Sequence, residues 1–203
     1  MAGRQAMAQP LIGVLALQGG FQAHERVLRR LGAQVREVRV PDDLAGLDGL
    51  VIPGGESTTM SLGVAREGLA GPLGELARAG LPVLGSCAGL IMLDREHLGL
   101  MDIRAQRNAF GRQIRSFEAD LDFAGFDGKL LRGIFIRAPW IAEHGPGVQI
   151  LAQIDGHPVA ARQGRMLAVA FHSELSDDDR VHRLFLELAR DYAGVARSSA
   201  GHP

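Results

Sequence analysis

"LPVLGSCAGLIML", residues 81–93, decides how this chain is read. An apolar run, Leu81-Pro82-Val83-Leu84, meets five small residues, Gly85-Ser86-Cys87-Ala88-Gly89, and a second apolar run, Leu90-Ile91-Met92-Leu93, follows at once. That order predicts a buried strand turning sharply into a helix. Small flanking residues let the backbone make such a turn without clashes. The residue at its tip is Cys87, the only cysteine in the chain. A lone cysteine is more often a small buried hydrophobe than a nucleophile. The pattern G-x-C-x-G is the cysteine form of the nucleophile elbow, which holds a reactive atom at the carboxyl edge of a strand beside a helix N-terminus. Such a place favours negative charge on the nucleophile, and the Ala88 N–H is placed to meet an oxyanion.

Outward from this stretch the chain alternates. "LIGVLAL" reads as a strand, "FQAHERVLRRLG" as a helix stopped by Gly32, "AQVREVRV" as a half-buried strand, and "LDGLVIPGG" as an apolar run ending in a tight turn. "STTMSLGVAREGL" reads as a helix with a Ser/Thr start, "GPLGELARAG" as another short helix, and "CAGLIMLDRE" as the helix after the elbow. Strand–helix repeats of this kind predict parallel pairing with helices on both faces. The middle of the chain is richer in short strands, "RSFEADLDF", "LLRGIFIRAP", "VQILAQID" and "HPVAARQ", and is expected to be partly antiparallel. "MLAVAFH" returns as a core strand. "SDDDRVHRLFLELARDY" closes the chain as a helix, with Ser176 as N-cap and Val181, Leu184, Phe185 and Leu188 on its buried face. The expected architecture is α/β: a three-layer, open, mixed but mainly parallel sheet with helices on both faces, in one domain spanning 1–203. Its core is expected over about 11–192, with loose tails at 1–9 and 196–203.

Composition narrows the function classes. The chain has 203 residues, 22 basic and 23 acidic, with a formal net charge of -1, so no global field draws it to nucleic acid or an anionic membrane. Arginine-containing pieces such as "HERVLRR" read as solvated helix faces. One cysteine cannot form an intramolecular disulfide, which points to a reducing, cytoplasmic setting. No apolar stretch approaches the roughly 18 residues of a membrane-spanning helix.

A cysteine hydrolase needs a base. Of seven histidines, His172 ends the apolar strand "MLAVAFH", at the same kind of edge as Cys87. Glu174 lies two residues on, and in extended chain i and i+2 face the same way, so Glu174 can orient the imidazole. The competing reading is an exposed His and Glu ahead of a helix. His24, His97, His144, His157, His182 and His202 read as surface or helix-face residues, and no pair has metal-ligand spacing. "VIPGGEST", residues 51–58, ends a strand in Gly54-Gly55. Paired glycines let main chain approach a ligand and offer N–H donors, or simply make a tight turn. The P-loop and G-x-G-x-x-G spacings are absent.

Taken together, "LALQGG", "PGGESTTM", "GSCAGLIML", "RNAFGRQ", "SFEADL", "FIRAP" and "FHSEL", in this order, resemble the glutaminase subunits of pyridoxal 5′-phosphate synthases. These are class I (triad) glutamine amidotransferases with a flavodoxin-like sheet. The likeness spans residues 11–192. It implies Cys87 as nucleophile with His172 and Glu174 completing the triad. It also implies a glutamine site lined by Gly55, Glu56, Ser57, Arg107, Ile136 and Arg137, and an oxyanion held by main-chain N–H groups near Gly55 and Ala88. A guanidinium suits such a site because its planar fork grips a carboxylate with two bonds. The resemblance further implies L-glutamine as substrate, no metal or organic cofactor, and a synthase subunit as partner in a large mixed complex that takes the ammonia. Departures are His172-Ser173-Glu174 where the family usually has His-Pro-Glu, Gly20 in place of the usual Ala, and a shorter stretch at "DREHLGLMD". Two alternatives stay open at this point: another cysteine hydrolase on a similar sheet, and a non-catalytic binding partner.

Overall fold

The computed structural model describes residues 9–109 and 116–200, with side chains as far as residue 195. Its centre is a seven-stranded sheet. The strands are β1 (Leu11–Leu15), β2 (Gln34–Val38), β3 (Gly49–Ile52), β4 (Val83–Ser86), β9 (Gln149–Ile154), β10 (His157–Gln163) and β11 (Met166–Val169), in the spatial order β2-β1-β3-β4-β11-β10-β9. The first five in that order are parallel, and β10 and β9 continue the sheet antiparallel. The expected mixed, mainly parallel sheet is therefore present. β3 and β4 are buried along their whole length, which is why they read as continuous apolar runs rather than alternating ones. Each fully buried aliphatic or aromatic side chain in such a core contributes about 1.5–3 kcal/mol.

The helices are α1 (Phe21–Arg30), α2 (Ser57–Arg66), α3 (Ala70–Arg78), α4 (Ala88–Leu93) and α5 (Arg180–Ala200). The β1-to-β2 connection runs opposite to the β3-to-β4 and β4-to-β11 connections. Right-handed crossovers then put α1 on one face and the helices after β3 and β4 on the other. α5 joins α1: Phe185 and Ala189 close over Gly49, where a Cβ would come within 2.8 Å of the Phe185 ring.

Two ribbons flank the sheet. β6 (Ser116–Leu121) pairs antiparallel with β7 (Leu131–Ile136), and β5 (Ile103–Gln106) with β8 (Trp140–His144). The ring of Phe135 stacks on Phe117 at 4.7 Å and tilts against Phe171 at 5.6 Å. These rings clamp the β6–β7 ribbon to the sheet and hold its end, Ile136-Arg137, at the edge of the central strands.

Several expectations are corrected. α2 is capped by Glu56, whose carboxylate accepts from the Thr58 and Thr59 N–H groups, rather than by a Ser or Thr. α4 has six residues and stops at Leu93, short of "DRE". α5 begins at Arg180, because the Ser176 hydroxyl instead closes a turn by accepting the Asp178 N–H at 2.9 Å, and the Asp179 carbonyl accepts from Arg183 N–H. The same helix runs on to Ala200, through most of the stretch read as a tail; 201–203 and 1–8 lie outside the described residues. In "HERVLRR", His24, Glu25, Val27 and Leu28 are buried, so only part of that piece is solvated.

Candidate active site

The parallel strands bring their carboxyl ends to one edge, where ligands of open α/β sheets bind. β4 delivers Cys87, β3 leads into Pro53-Gly54-Gly55, and the loop after β1 carries Gln18. β11 stops at Val169, so His172, expected at the strand's end, stands three residues beyond it, and Ser173-Glu174 belongs to a turn in which the His172 carbonyl accepts the Leu175 N–H at 3.3 Å. Cys87 has φ 51° and ψ -105°, a strained backbone for a residue with a side chain, and its N–H is pinned by the Val169 carbonyl at 2.8 Å. The flanking glycines are steric requirements. A Cβ on Gly89 would sit 2.0 Å from the Ile52 carbonyl oxygen, and one on Gly85 2.5 Å from the Gly89 carbonyl oxygen. Small residues around the cysteine therefore mark an elbow packed against β3.

Cys87, Ala88, His172, Gly55, Glu56, Ser57, Arg107, Ile136 and Arg137 all line one cleft of about 370 Å³, the scale of a small-molecule site. Every residue named from the sequence for this site except Glu174 is on its wall. Glu174 stands behind His172, with its Oε1 2.6 Å from His172 Nδ1. That contact leaves the other ring nitrogen for Cys87, which lines the same cleft and whose sulfur favours the protonated ring. The Cys87 Sγ lies 3.9 Å from the Ile136 carbonyl oxygen. Arg137, with φ 45°, and Asn108, with φ 47°, both hold left-handed backbone at the cleft wall.

The electrostatics follow from burial and neighbours. Burial alone pushes the His172 ring down, but hydrogen bonds to Cys87 and Glu174 and their charges overcome it and raise the ring to about 10. Burial pushes the Glu174 carboxyl up. The charges of His24 and His172 and the His172 hydrogen bond reverse that, to about 2. His24 is itself held down by burial, so the ring of His172 carries most of this effect.

Further residues stand close to these, and apart from the Gly54-Gly55 pair the sequence reading gave them no part in the site. Gly54 lies so close to the imidazole that a Cβ would meet His172 Cε1 at 2.5 Å. The Gln18 side-chain oxygen accepts the Glu56 N–H at 2.8 Å. The Gly54 carbonyl accepts from Gly20 N–H at 2.9 Å, so across this trans peptide the Gly55 N–H points away from the loop after β1. The Ser86 hydroxyl lies 3.1 Å from the Phe171 carbonyl and 3.3 Å from Glu174 Oε2, and donates to one of them at a time. His24 and His182, read as surface or helix-face residues, stand on inward faces of α1 and α5 and are both fully buried. His24 Nε2 is 3.3 Å from Glu174 Oε2, and His24 Nδ1 is 3.0 Å from His182 Nε2. His97 is not a bland surface residue either: it stands between Asp94 and Arg107. His144 is exposed and His157 stacks on Trp140, while His202 lies outside the described residues. Among the described residues, no group of three or more His, Cys, Asp or Glu is placed to hold a metal ion. Nor is any described helix long and apolar enough to cross a membrane.

This fold, with a cysteine elbow facing a carboxylate-backed histidine, is that of the class I glutamine amidotransferases. The family model described as the SNO glutamine amidotransferase family matches residues 14–191, and the chain belongs to that family. It is 53% identical over 190 residues to a pyridoxal 5′-phosphate synthase subunit PdxT from Mycobacteroides abscessus, covering 89% of this chain and 98% of that one. The subunit PdxT of Pelotomaculum thermopropionicum is 52% identical over 183 residues, 87% of this chain and 93% of the relative. A crystal structure of a glutamine amidotransferase superposes with TM-score 0.83 at 43% identity, covering 88% of this chain and 98% of that chain. A putative GMP synthase subunit from Thermoplasma acidophilum shares the fold, with TM-score 0.71 at 19% identity over 93% of this chain and 98% of its own.

Proposed function

We propose that this chain hydrolyses L-glutamine to L-glutamate and ammonia, with Cys87 as nucleophile, His172 as acid and base, and Glu174 orienting His172. The observation that carries this reading is His172, bonded to Glu174 at 2.6 Å on one side and facing Cys87 on the other, at the sheet edge. With the proton held on His172, the sulfur adds as a thiolate to the side-chain amide carbon and the carbonyl electron pair moves to oxygen. His172 gives its proton to the departing nitrogen, the C–N bond breaks, and ammonia leaves a glutamyl thioester. Water then adds while His172 takes its proton, the C–S bond breaks, and glutamate is released.

Main-chain N–H groups of Gly55 and Ala88 hold the oxyanion, and Arg107 and Arg137 recognise the substrate carboxylate, with Glu56, Ser57 and Ile136 completing the walls. Arg107 and Arg137 are exposed cations in an otherwise part-apolar cleft, which suits a small zwitterion. The ammonia passes to a synthase subunit that makes pyridoxal 5′-phosphate, a partnership supported by the family and by the printed names of the relatives. The assembly is a large mixed complex in the cytoplasm.

Ammonia release from glutamine, measured with and without the cognate synthase subunit, tests the reading. Cys87→Ala should abolish it, a loss of at least about 1,000-fold. Unchanged turnover in that variant of the complex would sink the proposal.

A further inference from the structure

Arg107 ends no buried element and is exposed, yet its guanidinium is held in one place. One terminal nitrogen donates to Thr58 Oγ1 at 3.2 Å, and the other lies 3.0 Å from His97 Nε2. A guanidinium has donors only. The His97 Nε2 facing it therefore carries a lone pair, and the ring proton sits on Nδ1, which donates to Asp94 Oδ1 at 2.7 Å. Asp94 is almost wholly buried and is fixed in turn. Its Oδ1 accepts from the N–H groups of Glu96 and His97, at 2.9 and 3.1 Å, and its Oδ2 from Ala105 N–H at 3.2 Å. It thereby ties the end of α4 to β5, the strand that leads into Arg107.

We propose that His97, oriented by Asp94, is the positioning residue that presents Arg107 to the substrate carboxylate. The idea rests on the assignment of the cleft as a glutamine site. A free arginine side chain carries rotamer entropy that binding would otherwise have to overcome. A lone pair on His97 Nε2 removes part of that cost in advance while taking up one edge of the guanidinium. The remaining N–H groups stay free for a carboxylate.

The test uses the assembled complex with its cognate synthase subunit and compares His97→Phe, His97→Gln and Arg107→Ala. In His97→Phe, KM for glutamine should rise about tenfold with kcat within about twofold of the parent, the pattern of lost uniform binding. Labelling of Cys87 by 6-diazo-5-oxo-L-norleucine, an electrophile bearing the amino-acid carboxylate, should slow by the same factor. Labelling by iodoacetamide, which has no such carboxylate, should be unchanged. The amide oxygen of His97→Gln can accept from Arg107, so this variant should recover most of the lost affinity.

Equal slowing of both electrophiles would mean that His97 merely supports the fold, and would overturn the proposal. So would an unchanged KM in His97→Phe when Arg107→Ala raises it. If Arg107→Ala itself leaves KM unchanged, the assignment of the glutamine site falls as well.

Discussion

Two histidines in this molecule are held in the same way and face opposite partners. His172 meets Glu174 at 2.6 Å and His97 meets Asp94 at 2.7 Å, each through Nδ1, and each carboxylate is buried. The second nitrogen of His172 faces a thiol, and that of His97 faces a guanidinium. A sulfur that can become anionic rewards a proton on the ring between it and the carboxylate. A permanent cation rewards a lone pair. On the proposed function, one kind of carboxylate–imidazole unit serves proton transfer at one end of the cleft and substrate grip at the other, and the partner across the ring decides which.

If this contrast is right, neutralising the carboxylate behind each ring should act on different quantities. The larger effect belongs to Glu174→Gln, which should lower kcat by about 100- to 10,000-fold with little change in KM, because the ring loses both its orientation and its charge partner. The same variant carries a pH signature in stability. His172 is raised from 6.5 to about 10, so its contribution is fully present below about 6.5 and fades as pH climbs through 10. Glu174 is lowered from 4.5 to about 2, so its contribution is present above about 4.5 and fades as pH falls through 2. Thermal melts should show the largest deficit of Glu174→Gln between about pH 4.5 and 6.5, shrinking on both sides. A deficit that grows steadily toward pH 10 would contradict the ion-pair account.

A second difference between the two units lies behind the carboxylates. Asp94 is tied down by backbone N–H groups, whereas Glu174 has side chains behind it: Ser86, and His24 backed by His182. Burial holds His24 down and takes His182 to about 3, so both rings stay neutral at physiological pH. A neutral His24 can offer Nε2–H to Glu174 Oε2 only if its Nδ1 accepts from His182. At 3.3 Å from Glu174 Oε2, His24 Nε2 makes no well-aligned hydrogen bond, so His24→Leu removes only a weak polar contact and should lower kcat about threefold, while KM holds. His24→Gln, which keeps a donor, should restore part of it. Equal losses in the two variants would show that the pocket needs the bulk of the ring and not its proton.

How much of this was legible in the sequence differs by region for a physical reason. The elbow was readable because residues as small as Gly85, Ala88 and Gly89 around a cysteine suit a sharp strand-to-helix turn. The His172–Glu174 pair was reached through extended-chain i, i+2 geometry, but β11 stops at Val169 and a turn, not a strand, brings the carboxylate to the ring. The arginine-bearing wall of the cleft was not readable from residue patterns: Arg107 and Arg137 stand on loops whose positions depend on the pairing of β5 with β8 and of β6 with β7. The β5 and β8 strands themselves went unread, since each is short and half exposed. His24 and His182 were misjudged although a signal existed. His24 shares a helical face with Val27 and Leu28, and His182 with Phe185, Leu186 and Ala189, the i+3, i+4 and i+7 neighbours of a buried stripe. Counting histidine as polar hid a face that its neighbours declared.

The smallest effect, and the finest test of the contrast, concerns the other contact of Arg107. Thr58 sits on the exposed first turn of α2 and offers its hydroxyl at 3.2 Å, a longer and wetter contact than the one from His97. Thr58→Val keeps the shape and the backbone N–H that bonds the Glu56 cap, and removes the hydroxyl that faces Arg107 together with its weak contact to the Glu56 carboxylate. An exposed hydrogen bond contributes about 0.5 kcal/mol net, so KM should rise only about twofold, with kcat unmoved. That ranking matters more than the number. Should Thr58→Val weaken glutamine binding more than His97→Phe does, Arg107 is held from the α2 side, and the carboxylate–imidazole unit at Asp94 is a brace for β5 that happens to touch it.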